Sequence, residues 1–538
     1  MNESAKQAPN TNQRKVGMWT SIAFGCTDMM GGGYGALVGA YLMFFFTTFC
    51  NLSALQAGSI IGLAKVVDSV TSIVMGRLSD TFWRTKLGRR FGRRHFFLLI
   101  GSPLILIVYS LLWIPGVSYA YYLIVYCLVE IVVTMVLIPY ETLPSEMTTD
   151  FNSRSKMSTT RMFFSGAITS VVTLVGGLYI KAMGQHNPYA YTATGVTFAI
   201  IFAVACLITW KFTWERPVEE IQATADPNEA HQNLGQFLLT ALKSYVATLK
   251  VKAFRQHMYL YLLGVTAQDL FSGAFVYFIV FGYGLSTSTA SFLLSLGIIG
   301  LPLTPVNYWL FTRLGAKKCY VLYFALVIAG LAAYYIMYMM NLTHAQLIPA
   351  LIIVTAIYLF FKGGAYSIPW NVFPFIPDVD EMITSKRREG EFAAMMSFIR
   401  KLTSGLASVF LGWVLTENGF KTGATVQSAQ ATHAVVYVLI FGTGILTLAA
   451  MFIAVTFNLD AKTHKVLVNE INRLKADGKK ADVKPEVKKV VESLTGVKYE
   501  NCWPAGDVAA TTAANRANNS QNTPTNSSSN DSNGSSAQ

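Results

Sequence analysis

The stretch Gly62-Leu63-Ala64-Lys65-Val66-Val67-Asp68-Ser69-Val70-Thr71-Ser72 lies in the middle of an apolar run from about Ala54 to Phe82. At about 1.5 Å per helical residue, roughly 20 residues cross the hydrocarbon of a bilayer, so Lys65 and Asp68 fall near mid-depth. A charge there costs at least about 2.5–3.5 kcal/mol. A spacing of three puts both side chains on one helical face, where they can pair. Two readings follow: an ion pair that locks helices together, or an ion or proton site on a transport path.

The rest of the 538-residue chain fits a membrane-spanning reading. It is 53% hydrophobic and only 13% charged, against about 25% charged in soluble domains, and its mean hydropathy is +0.42. The net charge of +13 sits mainly in the connections between apolar runs. Lys and Arg there set orientation and meet anionic lipid, so no nucleic-acid partner is expected. Six cysteines (Cys26, Cys50, Cys127, Cys206, Cys319 and Cys502) lack CxxC or metal-ligand spacing and read as buried small residues. The polar N-terminus through Lys15 predicts no cleaved signal peptide.

Twelve helix-forming runs are predicted, at about 17–49, 54–82, 95–114, 117–142, 157–182 and 190–214, then 257–284, 287–312, 318–340, 345–371, 391–416 and 429–457. Basic connections follow the second run (Arg84, Lys86, Arg89, Arg90, Arg93, Arg94), the fourth (Arg154, Lys156), the eighth (Arg313, Lys317, Lys318) and the tenth (Lys386, Arg387, Arg388), while the alternate loops are nearly uncharged. The positive-inside rule then predicts cytoplasmic termini and a cell or inner membrane location. Asn51-Leu-Ser and Asn341-Leu-Thr fit the glycosylation pattern, for which chance is the simpler explanation.

The expected organisation is a cytoplasmic segment 1–16, a six-helix bundle 17–214, a linker 215–256, a second bundle 257–457, a charged helical tail 458–504 and a low-complexity tail 505–538. The linker carries the acidic residues Glu219, Asp226 and Glu229 and turns amphipathic near Phe237–Leu249. In the tail, Val466, Ile471 and Leu474 suggest an apolar face. The two halves echo each other: Ile138-Pro139-Tyr140-Glu141-Thr142-Leu143-Pro144 ends the fourth run and Ile368-Pro369-Trp370-Asn371-Val372-Phe373-Pro374 ends the tenth. The fold class is therefore all-α, twelve transmembrane helices in two six-helix repeats, the major facilitator architecture.

Several polar groups interrupt these runs. Glu130, Thr134 and Glu141 share a face of the fourth run, the two carboxylates pointing within about 20° of each other. They line a polar cavity or, near the helix ends, meet the interface. Asp28 precedes Gly31-Gly32-Gly33, where a ligand or a second backbone could approach closely. Arg161 opens the fifth run; Arg400 and Lys401 lie within the eleventh and point about 100° apart, so they are expected to serve different roles. Asp269 and Lys362 are further intramembrane charges, each with a structural ion pair as its alternative. Tyr34, Tyr41, Tyr140 and Trp370 offer ring faces for a sugar. No GxSxG, HExxH or P-loop pattern occurs, so neither an enzyme nor an ATP-driven pump is expected.

From Tyr41-Leu42-Met43-Phe44-Phe45-Phe46-Thr47 through Asp68-Ser-Val-Thr-Ser, Gly76-Arg77-Leu78-Ser79-Asp80, Gly92-Arg93-Arg94-His95, Ile138–Thr148, Lys386–Gly390 and Ser397–Leu402, the chain resembles the glycoside-pentoside-hexuronide:cation symporters of the major facilitator superfamily, typified by the melibiose permease. The resemblance implies a symporter for a sugar, glycoside or uronide, coupled to H⁺, Na⁺ or Li⁺, with no other cofactor and no obligate protein partner. It implies cation coupling at Asp68, with Lys65, Thr71, Ser72 and Lys401 around it. Asp28, Gly32, Tyr41, Glu130, Arg161, Trp370 and Arg400 are the substrate-site candidates, and Asp80, Arg89, Arg93, Arg94 and Glu141 the gating candidates. Many relatives carry a second Asp four residues after the first, then Pro; here Ser72 and Ile73 stand there. Losing one hard ligand weakens a Na⁺ site, so H⁺ coupling is the expectation. Leu137 stands where the melibiose permease has an acidic sugar ligand, which argues against melibiose itself. Gly88-Arg89-Arg90 reads as a small insertion, and Phe96 replaces the usual Pro. The alternatives are a lipid or lysophospholipid carrier of the same fold and, behind it, a non-transporting sensor.

Overall fold

A computed structural model describes residues 16–148, 150–217, 234–340, 342–385, 388–476 and 478–503. Glu219, Asp226, Glu229, Asn341, Lys386, Arg387 and the segment 505–538 lie outside the described residues. Two units form. One contains both six-helix halves; the other joins, of the described residues, 251–253, 374–385, 388–389 and 458–503.

In the first unit, eleven helices of the described residues are long and apolar enough to cross a membrane, one of them the run Thr304–Met339 that Gly315 divides, and a shorter apolar helix covers Thr287–Gly300; counted as α1–α12, they make twelve elements. The first half has α1 Met18–Phe49, α2 Ala54–Arg84, α3 His95–Leu112, α4 Tyr119–Met147, α5 Phe151–Met183 and α6 Tyr189–Phe212. The second half has α7 Lys252–Gly282, α8 at 287–314, α9 at 316–339, α10 His344–Val372, α11 Glu389–Glu417 and α12 Ala429–Thr456. The eighth run was expected to be continuous to 312, but α8 breaks after Gly300 and resumes at Thr304. Pro302 and Pro305 remove two backbone donors there, which stops one helix and starts the next. Gly315, at φ 76°, makes the turn inside the basic connection to α9. Side-chain caps place other starts: Ser53 and Gln56 form a capping box on α2, and Ser118 caps α4.

The halves meet at the end carrying loops 50–53 and 418–428. A Cβ on Gly412 would lie 2.3 Å from the Ala54 carbonyl oxygen, and one on Gly58 would lie 2.5 Å from that of Ser408. Small residues thus let α2 and α11 pack backbone to backbone. Thr416 accepts from the Leu55 amide at 2.9 Å, and the Thr47 and Tyr277 hydroxyls meet at 2.7 Å between α1 and α7. Gly412→Leu is expected to force α2 from α11 and quicken maleimide labelling of Cys50, which is 3% exposed; unchanged labelling would refute this seal. The amphipathic linker helix Leu234–Thr248 touches both halves, with Arg77 of α2 over the Phe237 ring and Tyr245 against Phe398 of α11.

The second unit is built on helices Ile376–Thr384, Ala461–Lys475 and Pro485–Thr495. The segment Pro374–Glu389, expected to belong to the second bundle, packs here with the tail. The buried tail face is Leu467, Ile471 and Leu474, one position along from Val466. His464 meets Asp378 at 2.7 Å, and Lys475 pairs with Glu381. Glu470 is buried, yet it accepts from Arg473 at 2.7 and 2.9 Å and from the Tyr499 hydroxyl. Burial opposes its ionisation, but these donors outweigh burial and hold the carboxyl below its ordinary value. A depressed folded value means stabilisation present above the unfolded carboxyl range, near pH ~4.3, and lost as pH falls through the folded value. The protection of the 461–475 amides against exchange, relative to their intrinsic rates, is therefore expected to fall on acidification below that range, and less so in Glu470→Gln; protection unchanged by pH would refute it.

Candidate functional site

Asp68 on α2 is 4% exposed and is the centre of a polar cluster between the halves. Lys401 Nζ, from α11, donates to Asp68 Oδ1 at 2.6 Å and also to Ser72 Oγ. The Thr134 hydroxyl on α4 donates to the same Asp68 oxygen. Ser72 lies one turn after Asp68, and its hydroxyl donates to the Asp68 carbonyl at 2.9 Å, which leaves its lone pairs to accept from Lys401. One carboxylate thus ties α2, α4 and α11 together, with the ammonium arriving from the other half.

Lys65 pairs chiefly elsewhere. Its Nζ is 2.6 Å from Glu130 Oε1 and 3.9 Å from Asp68 Oδ2, so the pairing expected within α2 is the weaker one. Three residues of separation bring the two side chains onto one face, but α4 presents a carboxylate closer. Tyr34 of α1 donates to Glu130 Oε1 at 2.6 Å, and the Tyr126 hydroxyl lies 3.2 Å from that of Tyr34. Glu130 is 1% exposed, and these partners compensate its charge.

Nearer the arginine-rich end, Arg161 Nε is 3.2 Å from Asp28 Oδ1 and a terminal nitrogen is 2.6 Å from Glu141 Oε1. Arg161 also stands over the Tyr140 ring. The Arg161 side chain is 31% exposed and that of Glu141 45%, so this cluster is open to a ligand. In the second half, Arg400 grips Asp269 with two nitrogens, at 2.8 and 2.9 Å. The adjacent residues Arg400 and Lys401 do have separate partners, as their 100° offset predicts.

This constellation has carboxylates that could take up a proton or cation, and an exposed guanidinium beside a carboxylate that could take sugar hydroxyls. Among the described residues no group of three His, Cys, Asp or Glu could hold a metal ion. The family model described as MFS/sugar transport protein matches residues 23–461. The chain belongs to this family. It is similar to the isoprimeverose transporter of Lactiplantibacillus pentosus, 24% identical over 440 residues, covering 78% of this chain and 84% of the relative. It is similar to the sodium-dependent lysophosphatidylcholine symporter 1-A of Danio rerio, 23% identical, covering 78% and 82%. Its fold is similar to that of the nucleoside transporter NupG, with a TM-score of 0.55 at 13% identity, covering 81% of this chain and 98% of that one. The family expected from the motifs is thus the family found.

The structure separates the remaining candidates. Tyr41 is not at the cluster: it is 1% exposed, and its hydroxyl donates to the Thr173 carbonyl at 3.1 Å inside the first half. Gly32 serves helix packing, because a Cβ there would lie 2.3 Å from the Ser165 carbonyl oxygen of α5. Trp370 is 46% exposed at the end of α10 and packs edge-on to Tyr261. Thr71 is half-buried and turned about 100° from Ser72. Arg89 is exposed on the short helix Lys86–Phe91. Arg93 and Arg94 converge on Glu146 at the end of α4, and Arg94 reaches Asp80 at 2.8 Å. Glu215, past α6, accepts from the Arg93 and Arg94 amides at 2.8 Å each. Glu146, Glu215 and Tyr126 were not singled out in the sequence. Glu146 stands in the Ser145-Glu146-Met147-Thr148 continuation of the fourth motif, which was its signal; Glu215 and Tyr126 carry none.

Proposed function

We propose that this protein is a cation-coupled symporter that accumulates a sugar, glycoside or uronide by alternating access, with H⁺ as the coupling ion. The observation that carries this reading is Asp68, whose charge is met by Lys401 from the opposite half. A proton or cation arriving at Asp68 competes with that ammonium, so coupling-ion binding and half-to-half contact share one carboxylate. Loading the ion releases Lys401, and the halves become free to rock; the unloaded state holds them together. A single carboxylate with an ammonium and two hydroxyls suits a protonation switch better than a Na⁺ shell of several oxygen ligands. The exposed Arg161, with Asp28 and Glu141, supplies donors and acceptors for hydroxyls. Asp80, Arg93 and Arg94, joined with Glu146, brace the arginine-rich end of the first half, and that end faces the cytoplasm.

The relative named for lysophosphatidylcholine keeps a lipid carrier as the second reading. Uptake into proteoliposomes of labelled neutral glycosides, glucuronides and lysophosphatidylcholine, under an imposed H⁺ or Na⁺ gradient, separates the two. Sugar accumulation driven by ΔpH alone is the expected result. A strict Na⁺ requirement would overturn the proton switch, and uptake of the lipid alone would overturn the sugar reading.

A further inference from the structure

We infer that the second half contains an anion subsite at Lys362, built for the carboxylate of an acidic glycoside; the inference rests on the transport reading and narrows it to a substrate class. The basic residues of the central clusters each meet a carboxylate: Lys65 meets Glu130, Arg161 meets Asp28 and Glu141, Arg400 meets Asp269, and Lys401 meets Asp68. Lys362, on α10, does not: among the described residues no carboxylate stands within ion-pairing distance of it. Asp269, whose charge reaches Lys362 only from beyond pairing distance, is held at both oxygens by Arg400. The Lys362 ammonium instead lies 5.3 Å from the centre of the Phe271 ring, which is itself stacked on Tyr358 at 4.3 Å. An aromatic face supplies part of a counter-charge, and a cation at membrane depth calls for a whole one.

Lys362 lines a small cavity between α7, α9, α10 and α12, of about 30 Å³, with room for a carboxylate group but not for a whole sugar ring. Tyr261, Gln268, Tyr366 and Thr443 line it too. Thr443 is 1% exposed, and its hydroxyl has no hydrogen-bond partner among the described residues. A buried hydroxyl without a partner is costly unless something binds it. One unit of positive charge, one orphan hydroxyl and one carboxamide match a monoanion that accepts several hydrogen bonds, as a carboxylate does. Tyr366, one turn along α10 and 40% exposed, offers the attached sugar a ring face.

The test compares phenyl β-D-glucuronide with phenyl β-D-glucoside in energised proteoliposomes of the wild type, Lys362→Gln and Lys362→Arg. The wild type is expected to favour the glucuronide by about tenfold or more, the effect of one charge-assisted hydrogen bond. Lys362→Gln is expected to erase that ratio and Lys362→Arg to keep most of it. If Lys362→Gln does not fold, Thr443→Val is the second variant and should lower the ratio part-way. Glucoside uptake without glucuronide preference in the wild type, or a preference that survives in Lys362→Gln, overturns the subsite and leaves symport standing. Uptake of neither sugar under either gradient overturns the symport reading, and melting then decides the subsite. Glucuronate should raise the melting temperature of the wild type above its value in glucose, but not that of Lys362→Gln; an equal response in both overturns the subsite.

Discussion

Asp68→Asn is expected to abolish gradient-driven accumulation while leaving a folded carrier. The amide keeps the size of the carboxylate and its hydrogen bond with Thr134, but it carries no charge to answer Lys401 and cannot take up a proton. The Lys401 ammonium, 22% exposed at the side chain, then faces a neutral partner between the halves. Breaking a buried pair by removing one partner costs about 3–5 kcal/mol, so the single variant should also melt earlier. The double variant Asp68→Asn with Lys401→Gln removes both charges and should recover most of that stability. Accumulation should stay absent in the double variant, because the site for the coupling ion is gone. The checks are uptake against an imposed gradient and the melting temperature of both variants. Full accumulation by Asp68→Asn would sink the coupling mechanism, and a double variant no more stable than the single one would remove Lys401 from it.

The second large effect is on stability, at the opposite extreme of α4. Glu146 is 3% exposed at its side chain; it accepts from the Arg93 guanidinium and from Arg94 Nε at 3.2 Å, with Arg216 Nε at 3.7 Å from its other oxygen. Arg94 is itself only 5% exposed. Glu146→Ala therefore leaves two crowded guanidinium groups without their common acceptor, at a cost of about 3–5 kcal/mol. Glu146→Gln, which keeps an acceptor oxygen but not the charge, should lose less. Asp80→Asn should lose least, because the Asp80 side chain is 59% exposed and solvent screens such pairs to about 1 kcal/mol or below. Thermal unfolding of the purified protein ranks the three. Equal melting temperatures for Glu146→Ala and Asp80→Asn would show that burial does not set the order.

Much of this was legible in the chain. The apolar runs, the alternating basic loops and the Ile-Pro-aromatic echo at residues 138 and 368 are local patterns, and local patterns survive without tertiary context. They sufficed for the two six-helix halves; the family rested on the resemblance of the longer motif series from Tyr41 to Leu402. Asp68, Lys401 and Glu130 stood out because a charge in an apolar run is expensive wherever it points.

What the chain alone determined was which residues must find partners in the membrane; the tertiary structure decided which partners they found. Lys65 lies three residues from Asp68, yet it sits closer to Glu130 of another helix. Helical periodicity fixes only the face a side chain points from, and the neighbouring helix decides what stands opposite. For the same reason Tyr41 and Gly32, plausible at a sugar site by residue type, turned out to be packed against α5. The break in α8 was written in Pro302 and Pro305, but neighbouring helices can carry a proline through a span by satisfying the freed backbone groups. Here packing left the interruption in place. Lys362 was visible as an intramembrane charge. That no carboxylate among the described residues pairs with it is a fact of three dimensions, because Asp269, held by Arg400, stays beyond pairing distance.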